Sequence, residues 1–193
     1  MPETPNRLAT YPFVTDQSKM IELMASFGWR TANAEEIPQL LALGEELIGD
    51  QLISPETLAH LHDLTGLTAW VYGDPIEGLT ISVPLSQAGL DAVQDNAFVA
   101  YTPDDAHVAA AGTPCAGVYI GIYAGSTKAA RKAVMSGAGV IRMAIYAQVP
   151  CFARGATEDG ARSMESLGWT PAGFGADKLW MQGALVVPES KVA

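Results

Sequence analysis

The sequence predicts an α/β domain built on a mixed central sheet that is flanked by helices. Two observations support this fold class. Segments with apolar residues at helical spacing alternate along the chain with short segments of strand character. Their order is helix, strand, two helices, hairpin, strand, helix, strand, helix, strand, which predicts an antiparallel front half and strand–helix crossovers at the back.

The front half of the chain is predicted to form helices and a hairpin. Gly28 ends the first helix, and Asn33 caps the second. Ser54 and Pro55 form a strong start signal for the third helix, and Pro84 ends the hairpin. The predicted helices are residues 16–27, 33–47, 54–64 and 87–93, and the predicted strands are 29–32, 68–72 and 76–83.

The back half is predicted to alternate strands and helices. The strand at residues 117–123 is almost continuously apolar, which is typical of a central strand buried on both faces. Gly137 and Gly139 are expected to end the helix after it, Thr157 caps the last helix, and Gly168 ends it. The predicted strands are 117–123, 149–153 and 178–182, and the predicted helices are 128–135 and 158–167.

The composition excludes several classes of function. The chain has 193 residues and a formal net charge of -10, from 21 acidic and 11 Lys/Arg residues. That charge disfavours binding to nucleic acid or to an anionic membrane. No apolar run reaches the length of a membrane helix, and the N-terminus lacks the features of a signal peptide. We therefore expect a cytoplasmic protein.

The sequence further predicts one main domain with two small extensions. Residues 1–27 form an N-terminal arm and helix, residues 28–183 the single domain, and residues 184–193 a polar tail. Cys115 and Cys151 lack metal-ligand spacing, and two cysteines are too few for a secreted disulfide scaffold. Both are expected to be buried thiols.

Two histidine groups leave a structural and a functional interpretation open. His60 and His62 are two positions apart on a helix, whereas a metal pair is expected at i and i+4, so solvated or packed side chains are favoured. Asp104, Asp105 and His107 form the tightest cluster of His and carboxylates in the sequence. They favour a helix N-cap with a solvated His, and the alternative is a general base.

The basic residues gather where a strand runs into a helix. The turn at residues 124–127 is small and polar, and Lys128, Arg131 and Lys132 follow it. The first N–H groups of a helix lack backbone partners and favour anions. A phosphorylated ligand and a merely solvated helix face are equally compatible with this charge.

Residues 119–135 resemble the GNAT (Gcn5-related) N-acetyltransferase superfamily. Its members have a strand, then an Arg/Gln-x-x-Gly-x-Gly/Ala loop that holds the pyrophosphate of acetyl-CoA, then a helix. Lys128 stands at the Arg/Gln position and Ala133 at the final Gly/Ala, while Arg131 replaces the middle glycine, so the loop is degenerate. The resemblance implies that the cofactor-binding residues are Ile122, Tyr123, Lys128, Ala129, Ala130, Arg131, Lys132 and Ala133.

A second stretch, residues 151–171, is similar to the same superfamily. Ala156, Leu167, Gly168 and Trp169 match its pattern of a strand followed by a helix that ends in Leu-Gly-Phe. Many members carry a Tyr in this helix as general acid to the leaving thiolate. Met164 occupies that position here, and its thioether has no proton to donate.

The sequence leaves the roles of three side chains open. Arg131 either swings out to solvent or contacts the phosphates itself. Tyr119 and Tyr123 alternate with isoleucines, which predicts that both tyrosines lie on one face of the strand. There they either pack in the core or line an acyl or pantetheine slot.

The resemblance implies an acyl-CoA-dependent N-acyltransferase in which an amine attacks the thioester directly. Acetyl-CoA or another acyl-CoA is the expected co-substrate, and the acceptor is an amine of a small molecule or protein. No nucleic acid or membrane partner is expected, and the sequence is compatible with a homodimer. The general base is not assigned. The alternatives are a non-catalytic GNAT-like domain that binds a metabolite or protein, and a generic α/β protein with a phosphate at the same helix end.

Overall fold

A computed structural model of the chain describes residues 7–8, 11–155 and 158–186, so Ala156 and the predicted cap Thr157 lie outside the described residues. The strands are β1 (Phe13–Val14), β2 (Trp29–Thr31), β3 (Ala69–Tyr72), β4 (Gly78–Leu85), β5 (Pro114–Cys115), β6 (Gly117–Gly125), β7 (Cys151–Arg154), β8 (Thr170–Pro171) and β9 (Leu179–Gln182). The helices are α1 (Gln17–Ala25), α2 (Ile37–Ile48), α3 (Pro55–Thr65), α4 (Gln87–Gln94), α5 (Lys128–Ala144) and α6 (Glu158–Ser166), with a 3-10 turn at Asp105–His107.

Seven strands form the central sheet in the order β2-β3-β4-β6-β7-β9-β8. The β6–β7 pair is parallel, and the other neighbours in this sheet are antiparallel. The parallel pair needs a crossover, and α5 provides it. Strands β1 and β5 form a small separate pair. The predicted α/β class with a mixed sheet flanked by helices is confirmed.

The sheet separates two hydrophobic cores. One core packs α2, α3 and α4 against the sheet, with Leu40, Leu61 and Leu90 fully buried. The other packs α1 and α5 against the opposite face, where Met24 and Val134 are buried. Strand β6 contributes to both cores, as the sequence predicted for a central strand.

Helix α5 is longer than predicted, because it continues through Gly137 and Gly139 to Ala144. A Cβ on Gly137 would lie 3.0 Å from Trp29 Nε1 and 3.4 Å from the terminal methyl group of Met24. This glycine therefore lets the helix approach β2 and α1 closely. Close packing outweighs the low helix propensity of glycine here.

The start of helix α2 and the end of strand β4 also differ from the sequence prediction. Helix α2 begins at Ile37 instead of at Asn33, because Asn33 accepts a hydrogen bond from the Glu36 N–H and closes a turn ahead of the helix. Strand β4 continues through Pro84 to Leu85. Strand β3 pairs with β4 only as far as Ile81, so Pro84 lies where that neighbour has ended.

Candidate functional site at the end of strand β6

The junction between β6 and α5 is a turn of two residues, Ser126 and Thr127. The Thr127 side chain caps α5 by accepting a hydrogen bond from the Ala130 N–H at 3.0 Å. A Cβ on Gly125 would lie 2.6 Å from the Arg131 nitrogen, so only glycine fits where the strand meets the helix. This close approach presents the first helical turn at the end of the strand.

Residues 128–133 are helical in the structure, in agreement with the helix predicted over residues 128–135. Lys128 to Ala133 form the first turn and a half of α5, with Lys128, Ala129, Arg131 and Lys132 exposed and Ala130 buried. The Ala130 N–H is bound to Thr127, and the Arg131 N–H is bound to the Thr127 carbonyl at 2.9 Å. The N–H groups of Lys128 and Ala129 thus remain for an anion, since a helix does not satisfy its first N–H groups internally.

Arg131 turns its side chain back toward the start of the helix. Its Nη1 donates to the Ser126 carbonyl at 3.1 Å and to the Gly125 carbonyl at 3.5 Å. The guanidinium forms no ion pair within the part of the chain that the structure describes. It therefore braces the turn and keeps its positive charge beside the helix N-terminus.

A carboxylate also lies at this helix end, and sequence reasoning missed it. Glu77 Oε2 accepts a hydrogen bond from the Thr127 hydroxyl at 3.1 Å. The Glu77 backbone carbonyl accepts bonds from the Ser126 N–H at 2.8 Å and from the Ser126 hydroxyl at 3.0 Å. The hairpin turn thus anchors the β6–α5 junction and brings a negative charge to the anion-favouring end of the helix.

Strand β6 has a free edge directly before this junction. It pairs with β4 along its whole length, but with β7 only from Val118 to Ile120. From Gly121 to Gly125, no other described strand pairs along the side that faces β7. Because β7 ends at Arg154, a gap lies beyond the parallel pair, and backbone groups of β6 border it.

A β-bulge marks the point where the gap begins. Ile81 pairs with Ile122 and Ser82 with Ile120, so Gly121 is an extra residue on β6. Because of the bulge, the residues after Gly121 face the opposite side of the sheet from the one that unbroken alternation would give. Tyr119 packs in the core beneath α2–α4 and Tyr123 against the core beneath α1 and α5. The prediction that both tyrosines share one face was wrong, because it assumed unbroken alternation.

Ile122 and Ala133 were also predicted to bind the cofactor, and the contacts they make in the structure are structural. Ile122 is buried and packs beneath α2, where its side chain would touch a Cβ on Gly44 at 3.4 Å. The Ala133 carbonyl accepts a hydrogen bond from Trp29 Nε1 at 3.2 Å. Both residues hold β6 and α5 in place without presenting a polar side chain to a ligand.

Two cavities lie beside the end of β7 and the start of β9. The larger, of about 640 Å³, is bordered by Glu158, Asp177 and Trp180 among others. The smaller, of about 190 Å³, is bordered by Tyr119 of β6 and Arg154 at the end of β7. Both are bordered by Ala176 and Leu179, so they adjoin.

The thiol and thioether groups offer no acid or nucleophile at neutral pH. Cys115 and Cys151 are free and buried, as expected. Burial raises the pKa of Cys151 to about 11 and that of Cys115 to about 12, so both thiols stay protonated. The Met164 terminal methyl group would lie 3.2 Å from a Cβ on Gly155, and its thioether carries no proton.

The histidines have mainly structural partners. The Nδ1 atom of His62 accepts a hydrogen bond from the Ala69 N–H at 3.2 Å, and burial lowers the pKa of this imidazole. His60 Nε2 lies 2.8 Å from Asp105 Oδ1. Asp104 caps the 3-10 turn, as the N-cap interpretation predicted, but the prediction of a solvated His107 was wrong, because its ring is half-buried and packs near Phe98 at a centroid distance of 6.2 Å. Across the described ranges, no group of three or more His, Cys, Asp or Glu could hold a metal ion, and no helix is long and apolar enough to cross a membrane.

Comparisons with known proteins add a structural likeness alone. No protein-family model and no curated protein matches the chain. Among solved structures, the chain is similar to a crystal structure of "histone acetyltransferase HPA2 and related acetyltransferase" from Corynebacterium glutamicum. The two share 15% sequence identity at a TM-score of 0.48, covering 83% of this chain and 97% of the other. At that level the likeness does not bear on activity or ligands.

Proposed function

We propose that the chain is an acyl-CoA-dependent N-acyltransferase that transfers an acyl group, in the simplest case acetyl, to an amine of a small molecule or protein. One observation carries this proposal: the free edge of β6 at residues 121–125 leads directly to the N-terminus of α5. A strand edge offers hydrogen bonds to an extended amide-bearing arm. A helix N-terminus offers them to a phosphate.

The helix end has several groups that fit a pyrophosphate. The N–H groups of Lys128 and Ala129 have no helical acceptor. Lys128 and Lys132 are exposed cations, and Arg131 keeps its charge beside the turn. Glu77 opposes this fit, because its carboxylate lies on the Thr127 hydroxyl. When CoA binds, the positive charges of Lys128, Arg131 and Lys132 therefore have to outweigh the negative charge of Glu77.

The gap between β6 and β7 fits the pantetheine arm. Its β6 side consists of backbone groups beginning at the Gly121 bulge, and bulges often lie beside active sites. When bound, an acyl-CoA supplies its acyl group as an activated thioester. The chain's own task is to hold that group beside the opening where an amine can reach it.

The side chains described here suggest that proximity carries most of the rate enhancement. Met164 cannot protonate a leaving thiolate, and the two buried thiols keep their protons. We therefore propose direct attack by the amine, with protons exchanged through solvent. A cytoplasmic location is part of the proposal, supported by two cysteines that form no disulfide.

Thermal unfolding with acetyl-CoA and with CoA tests the binding step. Ligand at about 100 times its dissociation constant stabilises a protein by roughly 2.7 kcal/mol. We expect stabilisation of the wild type and a reduced shift in Lys128→Ala. Lys19→Ala, an exposed cation on α1, is the matched control and keeps the full shift. Absence of a shift with either compound would overturn the proposal.

Release of free thiol from acetyl-CoA, followed with a panel of amines, then tests catalysis. Turnover that depends on an added amine supports the acyltransferase. Binding without turnover for any amine would instead support the non-catalytic GNAT-like domain, which Met164 and the Glu77 carboxylate favour.

A further inference from the structure

The smaller cavity, between β6, β7 and the segment after α4, contains polar groups that the fold leaves without partners. Its volume is about 190 Å³, which suits a molecule of the size of one amino acid. Its walls include Phe98, Tyr101 and Tyr119, and Arg154 lies at its border. The Phe98 and Tyr119 rings pack at a centroid distance of 4.9 Å, which makes this wall rigid and aromatic.

Tyr119 brings a hydroxyl group to the cavity. The residue is only 6% exposed, yet its hydroxyl donates to no acceptor in the described parts of the chain. The hydroxyl oxygen is not among the buried unpaired side-chain atoms of the described residues, so it is accessible from the cavity that Tyr119 lines. Burial raises the pKa of Tyr119, so the group is protonated at neutral pH and able to donate.

Arg154 adds a guanidinium group to the border of the cavity. Among the described residues it forms no hydrogen bond and no ion pair. By contrast, Arg7 and Arg30 each pair with carboxylates. Arg154 is close enough to Tyr119 for its charge to act on that hydroxyl. A planar guanidinium beside a hydroxyl donor is suited to a carboxylate.

We propose that this cavity binds a small carboxylate with an apolar or aromatic body, the carboxylate lying on Arg154 and Tyr119. Arg154 directly follows Ala153, which pairs with Ile120 where β6 and β7 separate. A ligand held there has its free end near the gap. If the proposed acyltransferase activity holds, on which this step rests, the acceptor is an apolar or aromatic amino acid with its amine facing the gap.

Isothermal titration with 3-phenylpropionate, phenethylamine and L-phenylalanine tests the site without any CoA compound. We expect 3-phenylpropionate and L-phenylalanine to bind and phenethylamine, which lacks the carboxylate, not to bind. Arg154→Gln should weaken binding of 3-phenylpropionate about tenfold or more, and Tyr119→Phe by a few-fold. Lys19→Gln removes an exposed positive charge on α1 and should leave the affinity unchanged.

Three results would overturn the site: no binding of 3-phenylpropionate, equal affinity in Arg154→Gln and wild type, or tighter binding of phenethylamine. Circular dichroism of each variant keeps loss of fold apart from loss of binding. The acceptor role is tested separately by acetyl transfer to L-phenylalanine, where Arg154→Gln should raise KM with kcat little changed. Binding of the carboxylate without acetyl transfer to L-phenylalanine would overturn the acceptor role and leave the cavity assignment standing, while absence of turnover with every amine would overturn the acyltransferase proposal itself.

Discussion

Arg131 and Arg154 lie at two ends of the same gap and differ in what the fold has given them. Both are exposed, and neither pairs with a carboxylate among the described residues. Arg131 donates to two carbonyls at the β6–α5 turn, whereas Arg154 donates to none. The Arg131 guanidinium therefore stabilises the turn and is only partly available to a ligand. The Arg154 guanidinium is fully available.

The polar groups next to the two arginines differ in the same way. A phosphate at the helix end would meet the Glu77 carboxylate, which already accepts from Thr127. A carboxylate in the smaller cavity would meet the Tyr119 hydroxyl, which has no described acceptor. The Glu77 carboxylate thus partly neutralises the positive charge at the helix end. In the cavity, the Tyr119 hydroxyl and the Arg154 guanidinium have no partner among the described residues. Ligand affinity at the two places should respond differently to mutation.

The largest effect on stability is expected at Gly125. A Cβ there would lie 2.6 Å from the Arg131 nitrogen and 2.7 Å from the Ala130 carbonyl carbon. Gly125→Ala should lower the free energy of unfolding by about 2 kcal/mol, because backbone atoms have to move apart. Gly139→Ala is the matched control within α5, since no atom lies within 4 Å of its Cβ position, and it should stabilise slightly. Similar stability changes in urea denaturation for both variants would contradict the close packing of the junction.

Thr127→Ala should cost about 1 kcal/mol, as removal of a helix N-cap usually does. The same change frees the Glu77 carboxylate from its hydroxyl donor. Thr127→Ser keeps an oxygen at the cap position and should retain most of the stability. Chemical denaturation of the three proteins measures this, and an alanine variant as stable as the wild type would argue against the cap.

Glu77→Gln should tighten binding of CoA about fivefold, since it removes a negative charge near the proposed phosphates but keeps a side chain of the same shape. The gain should shrink as salt is added, because the effect is electrostatic. Titration calorimetry at two ionic strengths measures it. Glu22→Gln, on α1, serves as a control for net charge. Weaker binding in Glu77→Gln would mean that Glu77 organises the site instead of opposing it.

Arg30 provides a third, paired arginine and the smallest expected effect. Its guanidinium hydrogen-bonds to Glu36, which lowers the pKa of that carboxyl from 4.5 to about 2. Because the folded pKa is the lower one, the pair stabilises the protein above pH 4.5, and the contribution is lost as pH falls toward about 2. Arg30 is half exposed, so Arg30→Met should cost only about 0.5 kcal/mol at pH 7. A difference in unfolding free energy that persists unchanged below pH 2 would contradict this assignment.

The sequence predicted the fold class because the strand and helix periods were clear and caps such as Ser54 and Gly28 were local signals. It misjudged features that depend on tertiary contacts. The helix continues through Gly137 because Trp29 and Met24 pack against it, and the tyrosines separate because Gly121 is a bulge. Neither cause is visible in a periodic pattern.

The candidate site was partly predictable for a similar reason. Lys128, Arg131 and Lys132 are close in sequence, so their combined charge was evident, and the structure places them in the first turns of a helix, as predicted. Glu77 comes from a turn 50 residues before Thr127, and no sequence signal linked the two. The cavity groups Tyr119 and Arg154 belong to different strands, and the β6–β7 pairing brings them together.

A two-dimensional NMR titration of the full chain with CoA tests whether the β6 edge and the α5 N-terminus bind one ligand together. We expect the largest changes in amide chemical shift on Lys128 and Ala129, whose N–H groups have no helical acceptor, and on residues 121–125 along the open edge of β6. The amide signal of Lys19 on α1 should stay unchanged. Changes confined to other parts of the chain, or none at saturating CoA, would contradict the claim that the β6 edge and the α5 N-terminus form one ligand site.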